Sequence, residues 1–293
     1  MLRSMSSAIS GLENHQIYMD VVGQNIANVN TVGYKSSRVN FKEALAQTYS
    51  VGSAPVAGGV GGTNPVQVGL GVNLGGIDTI MTQGPMTTTG KTTDLAIQGQ
   101  GFFMLSSAYD ATTGVATPAY YTRDGAFALD QDGYLVDPVS GNYVLGAAGA
   151  PADPAAGYAA NEIQRVRIDP TWGWANFSIS SDGTLTGVKA DGTTDLTNHP
   201  RVLLAKFNNP EGLVRAGGNL YQQGLNSGAP AIAAPGDNTK GMGTLMSGTL
   251  EESNVDLAEQ FSRMIMAERG FQANSRIITA SDEMLQDLVN MKR

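Results

Sequence analysis

MLRSMSSAISGLENHQIYMDVVGQNIANVNTVGYK, residues 1–35, decides how the rest of the chain is read. Apolar residues fall at Leu2, Met5, Ile9, Leu12, Met19 and Ile26, and the same three–four alternation passes through Gln16 and Gly23. This is a heptad seam, and it predicts a helix of roughly 40 Å ending near Asn28. Asn28, Asn30 and Gly33 stop it, because Asn and Gly accept the left-handed backbone that a helix end requires. Further on, Asn40 with Glu43 three residues later reads as a capping box. It predicts a short second helix with Phe41, Ala44 and Leu45 on one face.

The far end repeats the pattern. A second seam runs through Leu257, Phe261, Met264, Phe271, Ile278, Leu285 and Val289, with Glu268, Ser275 and Asp282 on the remaining steps. Ile265, Ile277, Met284 and Leu288 widen the stripe, and a helix with two apolar faces needs more than one neighbour. Asn254 is placed to cap this helix, Asp256 suits its first turn, and Lys292 and Arg293 suit its negative end. An ordinary pair of core helices inside a monomer has the same periodicity.

Between the ends the composition changes twice. VGSAPVAGGVGGTNPVQVGLGVNLGG at 51–76 cannot build a core and reads as a linker or extended connector. From about residue 77 to 250, short alternating runs are punctuated by Asp-Gly pairs at 124–125, 132–133, 182–183 and 191–192, a strong hairpin signal. AAGAPADPAAGYAA at 147–160 reads as a surface loop. The predicted fold is α+β: a β-rich hairpin domain inserted between N- and C-terminal helices that pair as a coiled coil. Its divisions are a helical domain of residues 1–50 plus 253–293, a connector at 51–76, and a β-rich domain at 77–252 without a large extra inserted domain.

The chain of 293 residues has no cysteine, which excludes a disulfide scaffold, a thiol enzyme and Cys-ligated metal sites. Its 18 basic and 26 acidic residues give a net charge of −8, the wrong sign for a general nucleic-acid binder. Charged residues make up only 15%, so some of the surface is expected to be covered by neighbours. No apolar run is long enough for a membrane-spanning helix, and the start does not read as a Sec signal.

Motifs that would carry chemistry fail on inspection. Thr87–Thr92 resembles the end of a P-loop, but Gly84 is one place early and Pro85 removes an N–H from the cradle. Gly69-Leu70-Gly71 lacks the third glycine of a dinucleotide fingerprint. Asp130–Gly133 lacks the later ligands of a calcium loop and reads as a hairpin turn. His15 and His199 have no patterned partners for a triad or a metal site. Glu251-Glu252 reads as a solvated pair at a helix entrance. The expectation is a non-enzyme with no cofactor and no metal.

MDVVGQNIANVNTVGYK at 19–35 resembles the N-terminal signature of the flagellar rod and hook protein family. Its residues here are Asn25, Asn28, Asn30, Thr31, Gly33, Tyr34 and Lys35. The likeness continues through TGKTTDLAIQGQGFF at 89–103, YYTRDGAFALDQDGYLV at 120–136, FNNPEGLVRAGGNLYQ at 207–222, and the chain from Gly248 to Arg293. The opening MLRS and closing LVNMKR lean toward the short hook proteins, while the distal rod protein shares every block.

The resemblance implies a self-assembling structural subunit of the flagellar hook, a bendable universal joint that transmits torque from rod to filament. The alternative is a subunit of the distal rod. Its implied partners are other copies in a helical tube, the distal rod protein, the hook cap and hook–filament junction proteins, the hook-length control protein and the type III export gate. Nucleic acid and membrane insertion are not implied. The implied place is the hook and basal body, extracellular after type III export, with Phe41 and Leu45 matching the gate-recognition pattern. A secreted β-rich adhesin or glycan-binding module is the reading from a different class. It explains the hairpins and low charge, but not a heptad at both ends.

Overall fold

The structure is a computed structural model and describes residues 2–55, 61–107, 118–149, 158, 162–169, 172–191, 193–195 and 200–291. Expectations for His199, Lys292, Arg293, Gly58, Gly59, Gly192 and most of the 147–160 loop lie outside the described residues, as do the side chains of Leu2 and Leu288. The chain forms two units: residues 1–27, 37–80 and 255–293 make a helical unit, and residues 28–36 and 81–254 make a β unit.

In the helical unit, helix α1 (Leu2–Ala27) packs against helix α2 (Leu257–Met291) as the paired helices the seams called for. They run antiparallel. His15 lies beside Gly270, and ten residues further along α1, Asn25 Nδ2 donates to Gln260 Oε1 at 3.1 Å. The contact sits one step around each helix from the seam drawn on sequence. Ala8, Gly11, Asn14, Val21, Val22 and Asn25 are buried on α1, and Gln260, Ala267 and Ser281 on α2. Small and polar residues at this line let the helices approach closely. A Cβ added at Gly270 would stand 2.5 Å from His15 Cε1. The cap of α2 is Asp256, whose Oδ1 accepts from the Ala258 and Glu259 amides at 2.8 and 3.3 Å.

The short helix expected at 40–45 does not form. Strand β1 (Ser37–Glu43) occupies this stretch, followed by β2 (Ala46–Ser50), β3 (Val66–Gly69) and β4 (Val72–Thr79). β1 pairs antiparallel with β4, and β2 with β3, so part of the Gly-rich stretch is one side of a two-stranded ribbon. Pairing partners more than twenty-five residues away in sequence, at positions such as Val39 and Ile77, override a four-residue capping pattern. Side chains of α1 tie into the ribbon. Asn25 exchanges two hydrogen bonds with the Ser37 backbone (2.8 and 2.9 Å), and Asn14 Nδ2 donates to the Val72 carbonyl at 2.9 Å.

The β unit is built on an eleven-stranded sheet with Phe102–Ser106 near its centre. That strand pairs with Tyr120–Thr122, Tyr143–Ala147 and Leu204–Lys206, all antiparallel. Its side chains alternate between two cores: Phe103 and Leu105 enter one, Phe102 and Met104 the other. Both faces are covered, which explains its unbroken apolar run. The Asp-Gly pairs at 132–133 and 182–183 turn hairpins, each glycine at positive φ. The pair at 124–125 does not; Gly125 instead lies against the backbone of Leu95. Asp130–Gly133 is the turn itself, closed by the Gly133 amide on the Asp130 carbonyl. Among the described residues no helix is long and apolar enough to cross a membrane.

Gly270→Val tests the close approach of the helices. Overpacking against His15 should destabilise the helical unit by about 1–3 kcal/mol in urea unfolding. Adding His15→Ala should return part of that loss as a coupling energy. Strict additivity of the two changes would show that the helices do not meet at this point.

Candidate assembly site

The first element of the site is a charged cluster inside the β unit. Lys35 and Glu251 are 1% and 0% exposed, and Lys35 Nζ sits 2.5 Å from Glu251 Oε1. Arg123 reaches the other oxygen, with Nη1 3.2 Å from Glu251 Oε2. The Gly84 amide donates to Oε1 at 2.9 Å, so the carboxylate is met by three donors. Burial pushes the Lys35 ammonium below its ordinary value, and Glu251 opposes that shift. The Arg123 guanidinium is lowered for the same reason and opposed by the same partner.

This carboxylate joins three stretches of backbone. Gly33 N donates to the Glu251 carbonyl (2.8 Å), Asn254 N to the Tyr34 carbonyl (3.4 Å), and Ser36 N to Asn254 Oδ1 (2.7 Å). Lys35 Nζ also donates to the Thr82 carbonyl (2.8 Å), and Glu252 N to the Pro85 carbonyl (2.9 Å). The segments 33–36, 82–85 and 251–254 thus form a clasp where the chain enters and leaves the unit. Arg215 donates to the Lys35 carbonyl and lies over the Tyr34 ring, and Asn219 Nδ2 donates to the Val32 carbonyl. Gly33 has φ +67°, and a Cβ there would meet Asp124 N at 2.6 Å and Arg123 C at 2.7 Å. Only glycine fits.

The signature residues therefore divide by task. Gly33, Tyr34 and Lys35 build the clasp, Thr31 closes the turn after α1 on Asn28 (3.1 Å), and Asn25 binds β1. Asn30 is exposed. The reading of Glu251-Glu252 as a solvated pair is corrected: Glu251 is buried, and only Glu252 is exposed, accepting from Thr87 Oγ1 at 2.5 Å. Successive residues at the end of a strand face opposite ways. Sequence reasoning also missed Arg123. The available signal was charge inside otherwise apolar blocks of a charge-poor chain. Lys91, the lysine of the P-loop lookalike, donates to the Phe127 carbonyl at 2.8 Å and pairs with Asp94.

The second element is the surface of the helices. Of the seam residues, Met5, Leu12, Met19, Ile26, Met264, Phe271, Ile278 and Leu285 are half-buried, while Ile9, Leu257, Phe261 and Val289 are exposed. Phe261 is 50% exposed, and Ile265 and Met266 beside it 57% and 58%. Phe41 on β1 packs edge-on against Tyr18 of α1, and Leu45 is exposed.

Comparison with known proteins follows the same landmarks. Residues 5–35 match the family described as "Flagella basal body rod protein", residues 96–187 "Flagellar hook protein FlgE/F/G D1 domain", and residues 246–291 "Flagellar basal body rod FlgEFG protein C-terminal". The chain is 47% identical over 294 aligned positions to the flagellar basal-body rod protein FlgG of Bacillus subtilis, covering 100% of both. It is 33% identical over 293 positions to the FlgG of Borreliella burgdorferi, again covering 100% of both. Against the flagellar hook protein FlgE of that organism it is 29% identical over 455 positions, with 100% of both chains covered.

Glu251→Gln should cost about 3–5 kcal/mol near neutral pH, because two buried cations lose their carboxylate. The folded-state value of Lys35 already lies below its ordinary 10.5, so between the two the unfolded chain binds more protons and stability rises with pH. Removing Glu251 removes what opposes the lowering and widens that window downward. The stability gap between variant and parent should therefore narrow as pH rises toward the ordinary lysine value of 10.5. A gap that grows with pH in urea unfolding would contradict the pairing. Gly33→Ala should lose at least about 2 kcal/mol from left-handed strain and backbone crowding.

Proposed function

We propose that this chain, which belongs to the flagellar rod and hook protein family, is a rod subunit of the flagellar basal body that self-assembles into a tube through its terminal helices. The observation that carries the choice of rod is collinearity. The rod relatives align with this chain almost without gaps, whereas alignment to the hook relative must be opened by long insertions. The few residues MLRS and LVNMKR at the two ends lean to the hook. Those residues weigh little against full-length identity, so the rod is the better supported of the two. Family membership supersedes the adhesin reading.

The helical unit supplies a physical route to assembly. Its helices close on each other through small and polar residues, which leaves Phe261, Ile265 and Met266 on the surface of α2. Apolar side chains in such a row gain free energy when covered, at about 25 cal/mol per Å². In a tube of identical copies every subunit repeats that gain. The half-buried seam residues, from Met5 to Ile26 and from Met264 to Leu285, flank this surface and act as assembly residues in the same reading. Residues 1–50 with 253–293 then form the inner layer, 77–252 the outer one, and 51–76 the connector between them. Export by the type III gate, with Phe41 and Leu45 as contacts, belongs to the same proposal.

Two experiments test it. In cells expressing a tagged chain, immunogold label should lie on the rod within the envelope, and cells lacking the chain should lack both distal rod and hook. Label on the hook outside the cell would return the assignment to the hook. Phe261→Asp should leave monomer stability within about 0.5 kcal/mol, because the residue is solvent-facing there, yet abolish polymerisation, because a buried unpaired carboxylate costs several kcal/mol. Normal polymers from this variant would remove the α2 surface from the assembly.

A further inference from the structure

A cavity of about 300 Å³ opens in the β unit beside the clasp. Met81, Phe102, Phe207 and Pro210 give it apolar walls, and Arg123 and Lys206 bring two cations to it; no carboxylate lines it. Such a volume is at the small end of ligand cavities, about 300–1,000 Å³. It suits one side chain better than a cofactor.

Arg123 is left incomplete by its own chain. The residue is 5% exposed, with Nη1 on Glu251 and Nη2 on the Gly99 carbonyl at 2.7 Å, but its Nε is buried without a hydrogen-bond partner. A guanidinium has five N–H donors in a fixed fork, and the one carboxylate that Arg123 meets is shared with Lys35. Lys206 Nζ donates to two backbone carbonyls, of Lys240 at 3.2 Å and Gly241 at 3.4 Å. Among the described residues it has no carboxylate within ion-pair distance. Glu251 is already shared between Lys35 and Arg123, so one positive charge of the cluster is uncompensated. The cavity is a cationic spot in a chain whose net charge is −8.

We propose that this cavity receives a carboxylate on a short aliphatic arm, the side chain of a Glu or Asp from a second copy of the chain. The carboxylate pairs with the guanidinium of Arg123 and the ammonium of Lys206, while its methylenes lie against Phe102 and Phe207. Charge complementarity names the source: the chain carries 26 acidic residues against 18 basic ones, so another copy is the acid-rich surface a tube brings closest. The inference of a second copy rests on the assembly reading above; the preference for a carboxylate does not.

The monomer tests the chemistry. Titrating the ¹⁵N-labelled chain with N-acetyl-glutamate N-methylamide should move the Arg123 Nε–H resonance saturably and leave exposed arginines unmoved. The glutamine counterpart should move it little. Lys206→Met, which keeps the stem and removes the charge, should weaken the glutamate probe about tenfold. No saturable shift, an equal response to the glutamine probe, or a response to inorganic phosphate alone would overturn the carboxylate site. The polymer tests the source. Tubes grown from mixed ¹⁴N and ¹⁵N chains and treated with a zero-length carbodiimide should yield peptides in which Lys206 is joined to an Asp or Glu of a differently labelled copy. Lys206 linked only within its own chain, or unlinked, would overturn the second-copy assignment. Failure of the chain to form tubes at all would count against the assembly reading, and the monomer titration would still decide the site.

Discussion

Glu251 is a carboxylate without access to water, met by two cations and a backbone amide, and the entry and exit of the β unit are arranged around it. Taking three charges out of water costs several kcal/mol each, and mutual attraction offsets that only when geometry is good and the remaining donors are met. The arrangement is therefore a weak source of net stability. What it does provide is intolerance of alternatives. Any register in which residues 33–36, 82–85 and 251–254 fail to meet leaves a charge stranded, so competing pairings are penalised far more than the native one is favoured. A subunit whose copies must be interchangeable in a polymer needs that uniqueness at the point where chain ends leave the sheet.

The helical unit follows the opposite economy. Its internal contact uses Ala8, Gly11, Ala267 and Gly270, which bury little apolar area, and keeps larger side chains for the outside. The ribbon does the same. Tyr49, Val66 and Val68 stand exposed on two strands that, among the described residues, pair only with each other, and Leu45 is exposed just before them. Open strand edges with apolar side chains are a hazard for a free monomer, and most proteins blunt them with charge. Here charge is scarce, which is consistent with a surface meant to be covered. Low charge, exposed ribbon and exposed helix ridge are one feature expressed at three places.

What could be read from sequence followed from how local each signal was. Both helices were legible because their periodicity and their stops are written in consecutive residues. The Asn28–Gly33 stop is an example, where glycine is required by a positive φ and by the backbone of Arg123 and Asp124. Hairpins at 132–133 and 182–183 were legible for the same reason. The strand at Ser37–Glu43 was not. Asn40 and Glu43 spell a helix start locally, and the deciding partners are at residues 72–79. The helix-pair line was misplaced by one step because the seam was drawn through the largest apolar residues, and close packing chose the smallest. Glu251 was hidden altogether: a charged residue beside another charged residue looks solvated until the strand alternation and its two distant cations are known.

That last miss bears on how this chain can share landmarks with a hook relative whose alignment to it extends over 455 positions. The clasp involves Gly33, Lys35, Arg123 and Glu251, drawn from three separated blocks, and each needs the other two to be tolerable inside the protein. A change at one position strands a charge or a glycine contact at another, so the blocks can vary only together. The hairpin at 174–189 is held differently: its strands Trp174–Ile179 and Leu185–Lys189 pair with each other and with Thr194–Asp195, and Ile179 and Leu185 enter the apolar core. Residues there carry few obligations to the clasp, and insertion or loss at such a place leaves the buried charges matched. The electrostatic constraint is thus concentrated where the chain crosses into and out of the β unit.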